Sequence, residues 1–216
     1  MKSPTGHGDL DASLVLIFPV LLAYEIGVLF AGNVAGADVV TRAMYIALDS
    51  RRLYLLVHVA IALAFLLWAR RGNRWGALRV EVALPVALEA AIYAFTLGAV
   101  IQLVLRHLLH LSLDGDSTIS ALGAGVHEEL VFRLGLLCGI VSMMRGSRVA
   151  FPVALVVSSL LFAGAHHLGP RGEPLTAHAF AFRALAGAAF GAIFWYRSLA
   201  HAVYAHVLYD VLIALR

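Results

Sequence analysis

Three carboxylates, two imidazoles and one guanidinium stand out within apolar runs of the second half: Glu128, Glu129 and Arg133 in one hydrophobic stretch, His166 in the next, His206 and Asp210 in the last. A charge at the centre of such a stretch costs about 2.5 to 3.5 kcal/mol on insertion scales, so each group needs a partner or a chemical task. On a helix, Glu129 and Arg133 are four residues apart, share a face and can form a charge-assisted pair. Glu128 is turned about 100° away and is left for other work. A desolvated carboxylate that does ionise is a strong base, which suits Glu128 to take a proton from water. The competing reading of this segment alone is a polar clamp between helices, since buried ion networks are not always catalytic.

The histidines move the balance toward catalysis. His166 follows Phe162 by four residues in LLFAGAHHLGP, and His206 and Asp210 are four apart in HAVYAHVLYDVL, facing one way. If spans alternate in direction, Glu128, His166 and Asp210 fall in the half of the bilayer nearer the side where the fourth span begins, with His206 about mid-membrane. Side chains from three helices then meet around one polar cavity, as ionisable groups inside membranes do.

The elements that must position these groups are membrane helices. Of 216 residues, 62% are hydrophobic and 13% charged, and the mean hydropathy is +0.88, far from the roughly half-apolar average of soluble domains. The expected fold class is all-α, a polytopic membrane helix bundle of about seven to eight transmembrane helices, forming one domain over residues 1–216. Seven spans are expected at about 13–31, 53–69, 82–105, 118–143, 152–166, 178–196 and 199–215, with Pro152 suiting a first helical turn. Residues 38–49 read as amphipathic, either lying in the interface, forming an extra short helix or adding an eighth span. Trp68, Trp75, Trp195 and Tyr196 fall at span ends, as an aromatic belt does. Ala35 and Ala37 resemble a signal-peptide cleavage site. Only Lys2 precedes that first segment, which also carries Asp9 and Asp11, so it reads as a retained span.

Charge placement bears on partners and orientation. The net charge of +3 comes from arginines between apolar runs, where anionic lipid is the natural neighbour, and no nucleic-acid partner is implied. Lys2, Arg70, Arg71, Arg74, Arg79, Arg145, Arg148 and Arg197 share the N-terminal side of seven spans, against Arg42, Arg51, Arg52, Arg106, Arg171 and Arg216 on the other. That imbalance favours a cytoplasmic N terminus, and it would reverse for the later spans if 38–49 crossed the membrane. Cys138 is the only cysteine, which excludes an internal disulfide.

Familiar intramembrane hydrolases lack a match. A zincin needs a second histidine where Val131 stands after His127 and Glu128. Leu113, Asp114 and Gly115 resemble a site-2 protease element without its zinc-binding pair. Tyr209 and Asp210 lack the second Gly-x-Gly-Asp element of presenilin-like proteases, and no Gly-x-Ser-Gly nucleophile is present.

What remains resembles the CAAX protease and bacteriocin-processing family, also called Abi proteins, whose pattern is Glu-Glu-x-x-x-Arg, then Phe-x-x-x-His, then His-x-x-x-Asn or Asp on successive late helices. The chain shows Glu128-Glu129 to Arg133, Phe162 to His166 and His206 to Asp210 in that order, over about residues 118–214. The resemblance implies an intramembrane endopeptidase of glutamic type, with Glu128 as general base and His166 helping to hold the water. Glu129 would be fixed by Arg133, and His206 and Asp210 would serve the tetrahedral oxyanion. The commoner Asn is replaced by Asp210, which donates a hydrogen bond only when protonated, so orienting His206 is its expected task.

Family members have been described both as metalloproteases and as metal-free glutamate proteases. The carboxylates and imidazoles are ordinary zinc ligands, but the Glu129 to Arg133 pairing removes one of them, so no cofactor is expected and zinc is the disfavoured alternative. Glu25, Glu89 and Arg183 either line a substrate cavity or, the default reading, form interhelical pairs, and His58, His178 and His201 read as packing or interface residues. His127 and His167 point away from the catalytic groups by helical phase. The expected partners are a protein or peptide substrate at the membrane and the lipid bilayer, in a multi-pass protein of a bacterial inner membrane. The specific activity expected is endoproteolysis of a C-terminal sorting tail, and the alternative is a non-enzymatic immunity factor or small transporter-like protein using the same cluster structurally.

Overall fold

The computed structural model describes residues 7–30, 39–104, 125–168 and 172–214. Among them the chain forms eight helices and no strand: α1 His7–Phe30, α2 Val39–Leu48, α3 Arg51–Arg71, α4 Val80–Val104, α5 over residues 125–143, α6 Ala150–His166, α7 Ala177–Tyr196 and α8 Leu199–Ala214. A 3-10 turn, Arg74–Leu78, joins α3 to α4. The all-α membrane bundle expected from composition is therefore observed. Ala35, Ala37, Asp38, residues 113–115, the 118–124 start of the fourth span, and Lys2, Arg106, Arg171 and Arg216 lie outside the described residues.

Helix ends follow local chemistry. Ser50 caps α3 by accepting the Leu53 N–H at 3.3 Å, and Thr176 caps α7 by accepting that of Ala179 at 3.1 Å. Pro152 falls in the first turn of α6, as expected. The main correction is at α1, which begins at His7 rather than Ser13. Near that start Arg74 Nε donates to Asp11 Oδ2 at 2.8 Å, which neutralises the carboxylate.

The ten residues of α2 rise about 15 Å, half of a bilayer core of about 30 Å. Both of its ends also stay at one end of the bundle. Tyr24 Oη at the C-terminal part of α1 donates to Thr41 Oγ1 at 3.0 Å, and Tyr45 stacks on Tyr54 at the start of α3 with centroids 4.1 Å apart. The short extra helix is thus the correct alternative for 38–49, and the other seven helices alternate between two ends. Among the described residues three segments, Leu10–Val28, Arg51–Arg71 and Ala177–Tyr196, are long and apolar enough to cross a membrane by length and composition, and Ala150–His166 and Leu199–Leu212 are apolar but shorter. Outward residues of α3 and α4, such as Leu56, Ile61, Leu88, Ile92 and Phe95, are exposed, as a lipid-facing surface requires.

Close packing in the second half rests on small residues. Gly187 and Gly191, four apart on α7, admit α6: a Cβ on Gly187 would stand 3.2 Å from Ser159 Cα, and one on Gly191 would stand 2.5 Å from Leu155 Cδ1. Gly125 plays the same part between α5 and α8, where a Cβ would meet Val207 Cγ2 at 2.4 Å. These approaches bring the ionisable side chains of α5, α6 and α8 within reach of one another.

Candidate active site

The three motifs converge. Glu128, Glu129, Arg133 and His206 are buried where α5, α6, α7 and α8 meet. Arg133 Nη1 lies 3.1 Å from Glu129 Oε1, its Nη2 donates to the Gly187 carbonyl at 3.1 Å, and its guanidinium lies 4.5 Å over the Phe162 ring. The same Glu129 Oε1 accepts from His206 Nδ1 at 2.8 Å. Glu129 thus ties Arg133 on its own helix to a histidine 77 residues away. Phe190 of α7 stacks on the His206 ring at 4.3 Å and holds its plane.

With Nδ1 directed at Glu129, His206 presents Nε2 to Asp210 Oδ2 at 3.4 Å and to Glu128 Oε2 at 3.9 Å. His166 is oriented by the opposite route. Its Nδ1 donates to the Phe162 carbonyl four residues back at 2.8 Å, which assigns the proton to Nδ1 and leaves the Nε2 lone pair free. That lone pair faces Glu128 Oε2 at 3.5 Å, and Oε2 is buried without a hydrogen-bond partner. A water molecule to one side of the pair, with two O–H groups to give, would satisfy both acceptors. The geometry therefore sets a carboxylate of α5 and an imidazole of α6 facing one another.

All six residues singled out from sequence come together here. Other polar residues are engaged elsewhere. Tyr54 Oη donates to Glu25 Oε2 at 2.7 Å, with His58 Nε2 3.4 Å and His127 Nε2 3.9 Å from Oε1. Glu89 pairs with Arg197 and lies 3.4 Å from His201 Nε2, and His167 Nδ1 donates to the Glu173 carbonyl at 2.9 Å. The expectation of an interhelical partner needs correcting for Arg183, which pairs with Glu173 of the α6 to α7 connection instead. Phe190 and the Gly187 carbonyl were not singled out from sequence. The sequence signals for that face of α7 are Arg183 and the glycines at 187 and 191, four apart.

One local feature departs from simple helical phase. Residues Leu130–Leu137 are π-helical and begin directly after the two glutamates. A π-turn widens the helix and re-aims the side chains that follow it, and such turns are frequent at functional sites. Here Arg133 keeps its contact with Glu129 and also reaches α7. Among the described residues, no group of three His, Cys, Asp or Glu side chains is spaced to hold a metal ion.

Fold and site together define a polytopic helical membrane protein that encloses a carboxylate and imidazole cluster between its last four helices. Residues 112–212 match the family model described as "Type II CAAX prenyl endopeptidase Rce1-like", and all six clustered side chains fall inside that match. The similarity supports the resemblance carried by the three motifs. Neither a curated protein nor a solved structure matches the chain.

Proposed function

We propose that this chain is an intramembrane endopeptidase in which Glu128 and His166 activate a water molecule. The observation that carries the reading is the opposition of Glu128 Oε2 and His166 Nε2 at 3.5 Å, each without a donor of its own at that point. Glu128 takes a proton as the water oxygen attacks the scissile carbonyl carbon. The oxyanion is held by the imidazolium form of His206: Nδ1–H donates to Glu129, and Nε2–H turns to the oxyanion with the Asp210 carboxylate beside it to favour the charged ring. Glu128 then returns the proton to the leaving amine as the C–N bond breaks, regenerating carboxylate. The similarity to the type II CAAX prenyl endopeptidase model supports the peptidase class. Comparing membrane proteomes of a deletion strain and a Glu128→Gln strain tests the reading: the same uncleaved protein should accumulate in both, and its absence from the Glu128→Gln strain would sink the role of Glu128.

The proposed reaction is metal-free, because Glu129, the second carboxylate of the motif, is occupied by Arg133 and His206. Purified enzyme is expected to keep at least about half of its activity after prolonged treatment with a strong zinc chelator. Loss of activity restored by zinc would reverse this choice.

The direction of the helices bears on the substrate. The cluster lies toward the end where α5 begins and α6 ends, whereas Arg70, Arg71, Arg74, Arg79, Arg145, Arg148 and Arg197 gather at the opposite end. By the positive-inside rule that opposite end is cytoplasmic, and the site opens outward. An outward site suits the sorting tail of an exported protein in a bacterial cell membrane. In a Cys138→Ser background, a single cysteine placed at Thr176 should react with a membrane-impermeant maleimide on intact cells. Labelling confined to inverted vesicles would contradict the orientation.

A further inference from the structure

A half-buried cation beside the cluster, Arg183, is not used by the proposed reaction. Arg183 precedes Gly187 by four residues and Phe190 by seven, so all three share one face of α7. The Gly187 carbonyl receives Arg133, and Phe190 covers His206. Arg183 therefore sits one turn, about 6 Å along the axis, closer than Gly187 to the end where the site opens. Its charge acts on Glu128, His166 and Asp210.

The partner of Arg183 is the Glu173 carboxylate, which accepts from both Nη2 and Nε of the guanidinium. The Glu173 backbone is fastened independently of that pair. Its N–H donates to the His166 carbonyl at 2.9 Å, and its own carbonyl accepts from His167 Nδ1 at 2.9 Å. The side chain can thus rotate away while the backbone stays. Exposure favours that movement, since the Glu173 side chain is 40% exposed and that of Arg183 only 23%. Burial pushes the Glu173 carboxyl up, but the hydrogen bond and charge of Arg183 hold it below the usual carboxylate range. At neutral pH an anion therefore occupies Arg183.

We propose that Arg183 is a carboxylate-binding subsite for the peptide substrate, and that Glu173 is an internal occupant which a substrate carboxylate displaces. Guanidinium and carboxylate match in a two-pronged geometry, and partial burial strengthens the pair. The ligand is either the C-terminal carboxylate or an acidic side chain of the peptide. The proposal rests on the endopeptidase reading, in that it takes a peptide to be the occupant of the cleft.

The test measures binding without turnover, using full-length Glu128→Gln protein in lipid nanodiscs, with empty discs as reference. The probes are dye-labelled Ala-Leu-Ala-Leu-Ala-Leu-Ala as free acid, the same peptide as C-terminal amide, and the amide with its central Leu replaced by Glu. The free acid should bind about tenfold tighter than the plain amide, and Arg183→Gln should reduce that ratio to about one. Glu173→Gln should tighten the free acid by about tenfold, because the internal competitor is gone. Tight binding of the Glu-containing amide would assign the subsite to acidic side chains, and weak binding would assign it to the C terminus.

Equal binding of all three peptides, including binding of none above empty discs, overturns the proposal. So does a preference that survives Arg183→Gln. Should Arg183→Gln fail to fold, the Glu173→Gln arm decides alone, and absence of a gain there is equally fatal. Because no turnover is read, failure of this subsite leaves the Glu128 chemistry standing, and failure of that chemistry leaves this result interpretable.

Discussion

Glu128→Gln is expected to lower kcat by at least about 10³-fold while leaving the fold intact, the largest effect on activity predicted for any single atom change in the chain. The substitution keeps the shape of the side chain and replaces Oε2, the oxygen facing His166 Nε2 at 3.5 Å, by oxygen or NH₂. An amide cannot accept a proton at ordinary pH, so the water of the proposed mechanism loses its base. If the NH₂ turns toward His166, it donates directly to the Nε2 lone pair and fills the place of the water. KM should stay within about threefold, because the base contributes to the transition state rather than to ground-state binding. The thermal unfolding midpoint should be unchanged or higher, since a buried carboxylate oxygen without a partner is removed. Purified variant with more than about a tenth of wild-type kcat would rule out proton abstraction by Glu128.

Arg133→Met is expected to be the most destabilising single substitution at the site, costing about 3–5 kcal/mol. Its side chain is 1% exposed and that of Glu129 fully buried, so removing the guanidinium strands a carboxylate whose remaining partner is His206. It also leaves the Gly187 carbonyl without its donor and empties the space over the Phe162 ring. The double variant Glu129→Leu with Arg133→Met should recover most of the stability, because replacing both members of a buried pair by apolar groups of similar volume is often neutral. It should not recover activity, since His206 Nδ1 loses the oxygen that orients it at 2.8 Å. Reversible unfolding of Arg133→Met, Glu129→Leu and the double variant, set out with the wild type as a double-mutant cycle, measures the coupling directly. Additive stability effects would show that the pair is not a unit, and an active double variant would remove His206 orientation from the mechanism.

Much of this site was legible because it is written in steps of four. Glu129 to Arg133, Phe162 to His166 and His206 to Asp210 each span one helical turn, and a helix brings such residues to one face whatever surrounds it. All three local relations appear in the structure, as an ion pair at 3.1 Å, a ring nitrogen on a carbonyl at 2.8 Å and an imidazole 3.4 Å from a carboxylate. Helix positions were legible for a similar reason, since apolar runs of span length have few alternatives in a bilayer. The start of α1 was misread because its acidic turn is neutralised by Arg74, 63 residues away, and no local pattern announces a distant partner.

By itself, then, the order of residues determined which side chains share a helix face, which segments are apolar enough to form the bundle, and which charges are too costly to lie idle. Tertiary structure alone decided that Glu129 meets His206, that Glu128 opposes His166, and that Arg183 is engaged by a loop carboxylate instead of a neighbouring helix. It also decided the π-helical turn after Glu129 and the short course of α2 along one end. The physical reason is one of range. Backbone hydrogen bonding sets the pitch within each helix, whereas the distance and rotation between helices depend on how Gly125, Gly187 and Gly191 let particular surfaces close upon one another.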